Sequence, residues 1–388
     1  MFKLFLISSL LLIPVAVSAA DGPVYASSIN QCPKLNKRPK PSSVHDLRPD
    51  DIEIVATIGD SISAGVAAKN IETPYLHEDQ FKEYRGLSFD AGGDPGAITV
   101  PNFIQHYTSE PLLGPSKGVE QMPICKETFF CLTSKRNETL QDFNAAIPAS
   151  TSKRFTEQAN YLIQKFGLGT ELEDKWKFIT IYIGLNDLSV SCMPGFTFID
   201  YFARMDQGLA LLKKNVKNAF VNLGKCVSGQ RLLILWLTEK KKIVGMLHIE
   251  ETIKVTDNEP GYRKFFKNKK LDVQDKECYC CKVPAGSILI KLNVELFNNQ
   301  LKALAKKYSS SEDFTVVYQP FSPDINKIPV HALSDLDGFH PNVVGHQFFA
   351  KSYWNMLFMH SSEKPEILEY DPNLQIRCPG ENDRFSTH

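Results

Sequence analysis

Ile52-Glu53-Ile54-Val55-Ala56-Thr57-Ile58-Gly59-Asp60-Ser61 is the stretch on which the fold turns. A short β-branched run halted by glycine is the pattern of a parallel strand buried on both faces. Phe178-Ile179-Thr180-Ile181-Tyr182-Ile183, halted by Gly184, repeats it, and Arg231–Leu237 and Phe314–Tyr318 are two further strand candidates. Helical periodicity fills the gaps: Phe155–Phe166, Phe202–Leu223 (with Leu209, Leu212, Val216 and Phe220 on one stripe) and Ile288–Tyr308. Strands alternating with amphipathic helices predict a doubly wound α/β sheet. In such a sheet the reactive side chains sit in loops at the carboxyl ends of the strands.

Composition narrows the class. The chain has 388 residues, 43% of them hydrophobic and 23% charged, enough for one large domain or two. Those proportions exclude disorder, collagen and coiled coil as descriptions of the whole. The 44 basic and 44 acidic side chains cancel, which argues against a nucleic-acid binder. Residues 1–20 read as an export signal: Lys3, then the apolar run Leu4–Val17, then Ser18, Ala19 and Ala20. No other run reaches the length of a spanning helix, so a secreted protein without a transmembrane anchor is expected. Residues 21–50, with Pro33, Pro39, Pro41 and Pro49, read as an extended arm, and 363–388 as a polar tail. Within 240–282 lies a basic, cysteine-containing insertion.

An exported chain recasts its cysteines. The nine are Cys32, Cys125, Cys131, Cys192, Cys226, Cys278, Cys280, Cys281 and Cys378. In oxidising surroundings they read as disulfides. Cys278-Tyr279-Cys280-Cys281 lacks the paired spacing and the following histidines of a zinc site. Cys32 and Cys378, in irregular terminal segments of one domain, are predicted to bond each other. Asn137-Glu138-Thr139 is a glycosylation sequon and marks Asn137 as a surface acceptor.

Three motifs fall where this fold puts a site. Gly59-Asp60-Ser61 follows the first strand; a serine there exposes its hydroxyl in the cleft, and its amide can stabilise an anion. Gly65 follows, where the backbone needs room. Gly184-Leu185-Asn186-Asp187 follows the second strand, and Asn186 offers a neutral donor for an oxyanion. Asp337-Gly338-Phe339-His340 sets an aspartate three residues before a histidine, close enough to fix its tautomer and free the other nitrogen for a serine proton. His346 reads as structural. Each motif alone is ordinary; nucleophile, base, orienter and amide donor together are acyl-transfer machinery.

The set Gly59-Asp60-Ser61, Gly184-x-Asn186-Asp187 and Asp337-x-x-His340 resembles the GDSL, or SGNH, hydrolases. Ser43-Val44-His45-Asp46-Leu47-Arg48-Pro49, Tyr84-Arg85-Gly86-Leu87-Ser88, Thr99-Val100-Pro101-Asn102 and the run Asp313–Phe321 extend the likeness to the animal phospholipase B-like branch. The resemblance implies a three-layer α/β/α hydrolase domain over 51–362 with a flavodoxin-like, doubly wound parallel sheet. It implies hydrolysis of fatty-acyl esters of phospholipids and lysophospholipids at a lipid interface, with no metal and no cofactor. Ser61, His340 and Asp337 then form the triad, and the amide of Ser61, the side chain of Asn186 and the amide of Ala149 hold the oxyanion.

Two departures stand out. The family's glycine in the second motif is Ala149 here, within Phe143-Asn144-Ala145-Ala146-Ile147-Pro148-Ala149, and a cysteine usual before the Phe-His pair is Gly338. Alanine fits at no cost only where φ is negative, and a negative φ is expected because Pro148 already restricts the turn. A short-chain GDSL esterase and a lipid-binding effector with a weakened site are the alternative readings.

Overall fold

The computed structural model describes residues 22–72, 76–122, 124–125, 129–130, 136–224, 278–284, 286–324 and 327–388. Its centre is a parallel sheet of four strands, β1 (Ile54–Gly59), β2 (Lys177–Tyr182), β3 (Ala219–Gly224) and β4 (Phe314–Gln319), adjacent in that order. Every residue of the first three is buried, which is why they read as unbroken apolar runs. On the outer edge of β1, backbone around Asn144 runs parallel to it: Thr57 N–H donates to Phe143 O at 3.1 Å and Ala145 N–H to Thr57 O at 2.7 Å. Counting that segment second in the chain, the order across the sheet is 2-1-3-4-5. The order therefore reverses beside β1, and the carboxyl ends of β1 and β2 flank the switch point where such sheets bind ligands.

The third strand corrects the sequence reading. The stripe Leu209, Leu212, Val216, Phe220 predicted a helix running to Leu223, but helix α4 (Phe198–Asn215) stops earlier. Asn218 takes φ 54°, a left-handed turn that asparagine tolerates, and Ala219 opens β3. Apolar residues of a buried strand happened to continue the helical period. The strand expected at Arg231–Leu237 lies outside the described residues, as do the export signal and 240–277 of the insertion.

Helices cover both faces, completing the three-layer α/β/α fold. One layer holds α2 (Phe155–Phe166), α4 and α5 (Gly286–Lys307), packed on one another. The other holds α1 (Val100–Tyr107) and α6 (Val343–Met356). Thr99 caps α1, Thr197 and Asp200 form a capping box on α4, and Asn342 caps α6. On α2, Phe155, Ala159, Leu162 and Phe166 make the buried stripe. Between β2 and α4 lies the short helix α3 (Leu185–Ser189).

The arm and the tail are stitched together. Cys32 and Cys378 are disulfide-bonded, as expected, and Val24–Ala26 pairs antiparallel with Ile376–Cys378. Phe385 then enters the core, its ring 5.5 Å from that of Phe178 and 5.4 Å from that of Phe220. Cys192–Cys280 and Cys278–Cys281 are also bonded. Among the described residues no helix is long and apolar enough to cross a membrane.

Candidate active site

β1 ends at Gly59, and its backbone is gripped by Gln158 of α2: Gly59 N–H donates to Oε1 and Nε2 donates to Gly59 O, both at 2.9 Å. The chain then turns tightly, Ala64 N–H reaching Asp60 O at 3.0 Å. Gly65 has φ 67°, and a Cβ there would stand 2.6 Å from Tyr84 O, so the room expected at this position is needed. Ser61 lies at the start of this turn. Its Oγ is 2.7 Å from His340 Nε2, and His340 Nδ1 is 2.6 Å from Asp337 Oδ2. The remaining oxygen of Asp337 accepts the amides of Phe339 at 2.9 Å and His340 at 3.0 Å. Gly338 between them takes φ 63°, which a cysteine at that position would adopt only with strain.

Charge reinforces the geometry. Burial works to raise the Asp337 carboxyl, but the charge and hydrogen bond of His340 and the two amides outweigh it and hold it below its ordinary value. An ionised Asp337 keeps the proton of His340 on Nδ1 and leaves Nε2 as acceptor. His346 is different. It is buried within α6, its Nδ1 accepts the Phe89 amide at 3.3 Å, and burial lowers it to about 3. It is a neutral core residue, as read from the sequence.

The second strand's motif follows the neighbouring carboxyl end, where Tyr182 pairs with Gly59. Asn186 Nδ2 donates to Ser150 O at 3.0 Å, so one of its two hydrogens holds the loop beside it. Asp187 accepts the Ser152 amide at 2.7 Å and hydroxyl at 2.6 Å. Between these anchors and Pro148 stands Ala149, with φ 58°. The expected negative φ is wrong: the turn takes the left-handed conformation glycine would favour, at a strain on the order of 1 kcal/mol for alanine. Pro148 restricts its own φ and leaves that of Ala149 to the loop's tethers. Among the described residues neither the Ala149 nor the Ser61 amide donates to another group.

Some contributors carry no signal in the sequence. Gln158 is one polar residue on a helix's buried face. Asp90, in a loop, accepts the Ser63 hydroxyl at 2.7 Å and the Ser88 hydroxyl at 2.9 Å. Asp60 was legible as part of its motif but not for its state: burial raises it to about 7. Asn137 is exposed and opens a short helical turn at Glu138–Gln141.

The chain is 28% identical over 379 residues to "Phospholipase B1, membrane-associated" of Homo sapiens and 26% identical over 365 residues to that of Mus musculus. Each match takes in 89% of this chain but only 22% of the relative, so the chain spans about a fifth of those proteins. Among solved structures, a catalytic mutant of the acetylxylan esterase Axe2 from Geobacillus stearothermophilus matches at 12% identity. That match covers 82% of this chain and 97% of that one, with a TM-score of 0.34, too low to add to the case. Residues 55–352 match the profile of the GDSL-like Lipase/Acylhydrolase family, and the chain belongs to that family.

Proposed function

We propose that this chain is a secreted phospholipase B or lysophospholipase that releases fatty acids through an acyl-enzyme. The observation that carries the reading is the imidazole of His340 between Ser61 and Asp337, at 2.7 and 2.6 Å. Ser61 Oγ attacks the ester carbonyl and its proton passes to His340 Nε2. The oxyanion is held by the amides of Ser61 and Ala149 and by the second hydrogen of the Asn186 amide. The C–O bond to the alcohol breaks as His340 returns the proton to the leaving oxygen, and Asp337 steadies the imidazolium meanwhile. Water then repeats the sequence on the acyl-Ser61 ester and frees the acid. No step calls on a metal or cofactor.

Phospholipid substrates are favoured by the likeness to phospholipase B1 along most of this chain. Export is favoured by the three disulfides among the described residues and by the leader-like first twenty residues, and Asn137 is then the glycosylated asparagine. The test is a fluorophosphonate probe followed by product analysis. Labelling should fall on Ser61, and phosphatidylcholine and lysophosphatidylcholine should release fatty acid faster than acetyl esters of sugars release acetate. Labelling with activity confined to short acyl groups would replace this reading with a short-chain esterase. Absence of labelling would replace it with a lipid-binding protein.

A further inference from the structure

Helix α5 is apolar on two sides. Ile290, Val294, Phe297, Leu301 and Leu304 are buried, on a helix that packs on β4 and α4. Ile288, Leu292 and Leu296, four residues apart on another stripe, face outward, Ile288 at 61% and Leu292 at 49% exposure. A surface helix ordinarily turns polar residues outward. The apolar surface continues onto neighbouring elements. Tyr279 is exposed beside Cys280, whose bond to Cys192 brings exposed Met193 alongside. Ile199, 64% exposed, lies two residues before Tyr201, which stacks on Phe297 of α5 at 4.2 Å. Exposed apolar side chains gathered on adjoining elements mark an interaction surface.

The patch is joined to the candidate active site by an unbroken chain of contacts. Met193 and Phe196 follow α3, which carries Asn186 and Asp187. Asp187 holds Ser152, and the next residue, Lys153, lays its ammonium 3.8 Å over the Phe196 ring. Basic side chains outnumber acidic ones beside these residues along the chain: Lys282 and Lys291 each follow an exposed apolar residue by three, and Lys153 and Arg204 meet the Phe196 ring, against Asp200 and Glu295. Two copies meeting through this face would bring like charges together. A layer of lipid phosphates over acyl chains matches both the cations and the apolar stripe.

We infer that this face docks on a phospholipid surface, with Ile288, Leu292 and Ile199 reaching into the acyl boundary and Lys153, Lys282 and Lys291 at the phosphates. The inference rests on the hydrolytic reading above for its choice of lipid as occupant. It places the cleft beside the membrane surface from which an ester would enter.

The experiment uses the full chain carrying Ser61→Ala, sedimented with vesicles of phosphatidylcholine and phosphatidylserine in equal parts. The parent should bind, and adding Ile288→Glu with Leu292→Glu should weaken binding at least about tenfold. Ile199→Glu, on a different helix, should weaken it in the same direction. With Ser61 restored, all variants should turn over a water-soluble ester at the parent's rate, which also reports that they fold. Unchanged binding in both variants, or a parent that does not bind while hydrolysing the soluble ester, would overturn the docking face. So would a dimeric parent made monomeric by the substitutions with vesicle binding intact, because the occupant is then a second copy. A parent that binds vesicles through this face yet hydrolyses no ester would refute the proposed reaction and uphold the docking face.

Discussion

Asp187 grips Ser152 twice, through the amide at 2.7 Å and the hydroxyl at 2.6 Å. That double bond of contacts joins the loop after β2 to the loop that carries Ala149, three residues upstream. Asp187 thus positions the proposed oxyanion donors without touching the reacting atoms. Asp187→Asn turns an amide against the donors of Ser152 and should lower kcat on a soluble ester about ten- to a hundredfold. Ser152→Ala keeps the backbone contact and should cost less than about tenfold. Equal effects of the two, or a change in KM alone, would show that Asp187 has no such positioning role.

The bond between Cys32 and Cys378 closes nearly the whole chain into one loop. In the chain-entropy account such a closure stabilises by roughly 6 kcal/mol, with measured values often lower. Cys32→Ser should therefore lower the melting temperature markedly. Phe385→Ala should do so independently, by about 3–5 kcal/mol, because its ring fills the space between Phe178, Phe220 and Phe358. Calorimetry of each variant checks both. A melting temperature unmoved by Cys32→Ser would mean that Phe385 and the terminal strands suffice to hold the ends.

Three buried carboxyls near the site set the pH dependence of stability. Burial raises Asp60 to about 7 and Asp90 and Asp187 to about 6, all from an ordinary 3.8. Between 3.8 and these values the folded state holds protons that the unfolded chain has released, so stability falls as pH rises through that window. Below it, carboxyls held low by basic partners or amides, such as Asp46 and Glu381, lose their stabilisation on protonation. Thermal unfolding should therefore be most resistant near about pH 5. Asp60→Asn should flatten the decline between pH 5 and about 7. A maximum at or above neutrality in the parent would contradict the burial argument.

The proposed nucleophile and amide donor could be read from sequence because Gly59-Asp60-Ser61 and Gly184-x-Asn186 close strands buried on both faces, which announce themselves as apolar runs, and the proposed base could be read because its spacing from Asp337 fits one turn. β3 could not, because Val216 and Phe220 continue the period of the preceding helix and only Asn218 interrupts it. Its asparagine turn is visible in the backbone, not in the hydropathy. Gln158 and Asp90 escaped for another reason. Their partners, Gly59 and the Ser63 and Ser88 hydroxyls, are brought to them by tertiary packing, and no spacing along the chain encodes that. At Ala149 the sequence gives no warning of the positive φ, because Pro148 restricts only its own. The φ of Ala149 is fixed by Asn186 and Asp187 pulling on Ser150 and Ser152, again across the fold.

Ala149 itself yields the last prediction. At φ 58° the alanine already occupies the conformation a glycine would take, so its amide lies where glycine's would, and the strain is a cost in stability more than in aim. Ala149→Gly should relieve on the order of 1 kcal/mol, less whatever flexibility glycine gives the unfolded chain. The melting temperature should then hold or rise slightly, and kcat on a soluble ester should change by less than about tenfold, well short of the hundredfold or more that a lost oxyanion donor costs. Ala149→Val, with a branched side chain in the same left-handed region, should lower both stability and rate. A hundredfold gain in kcat on Ala149→Gly would show instead that the alanine turns its amide away from the oxyanion. The protein would then be an attenuated enzyme, and lipid binding would become the leading account of its role.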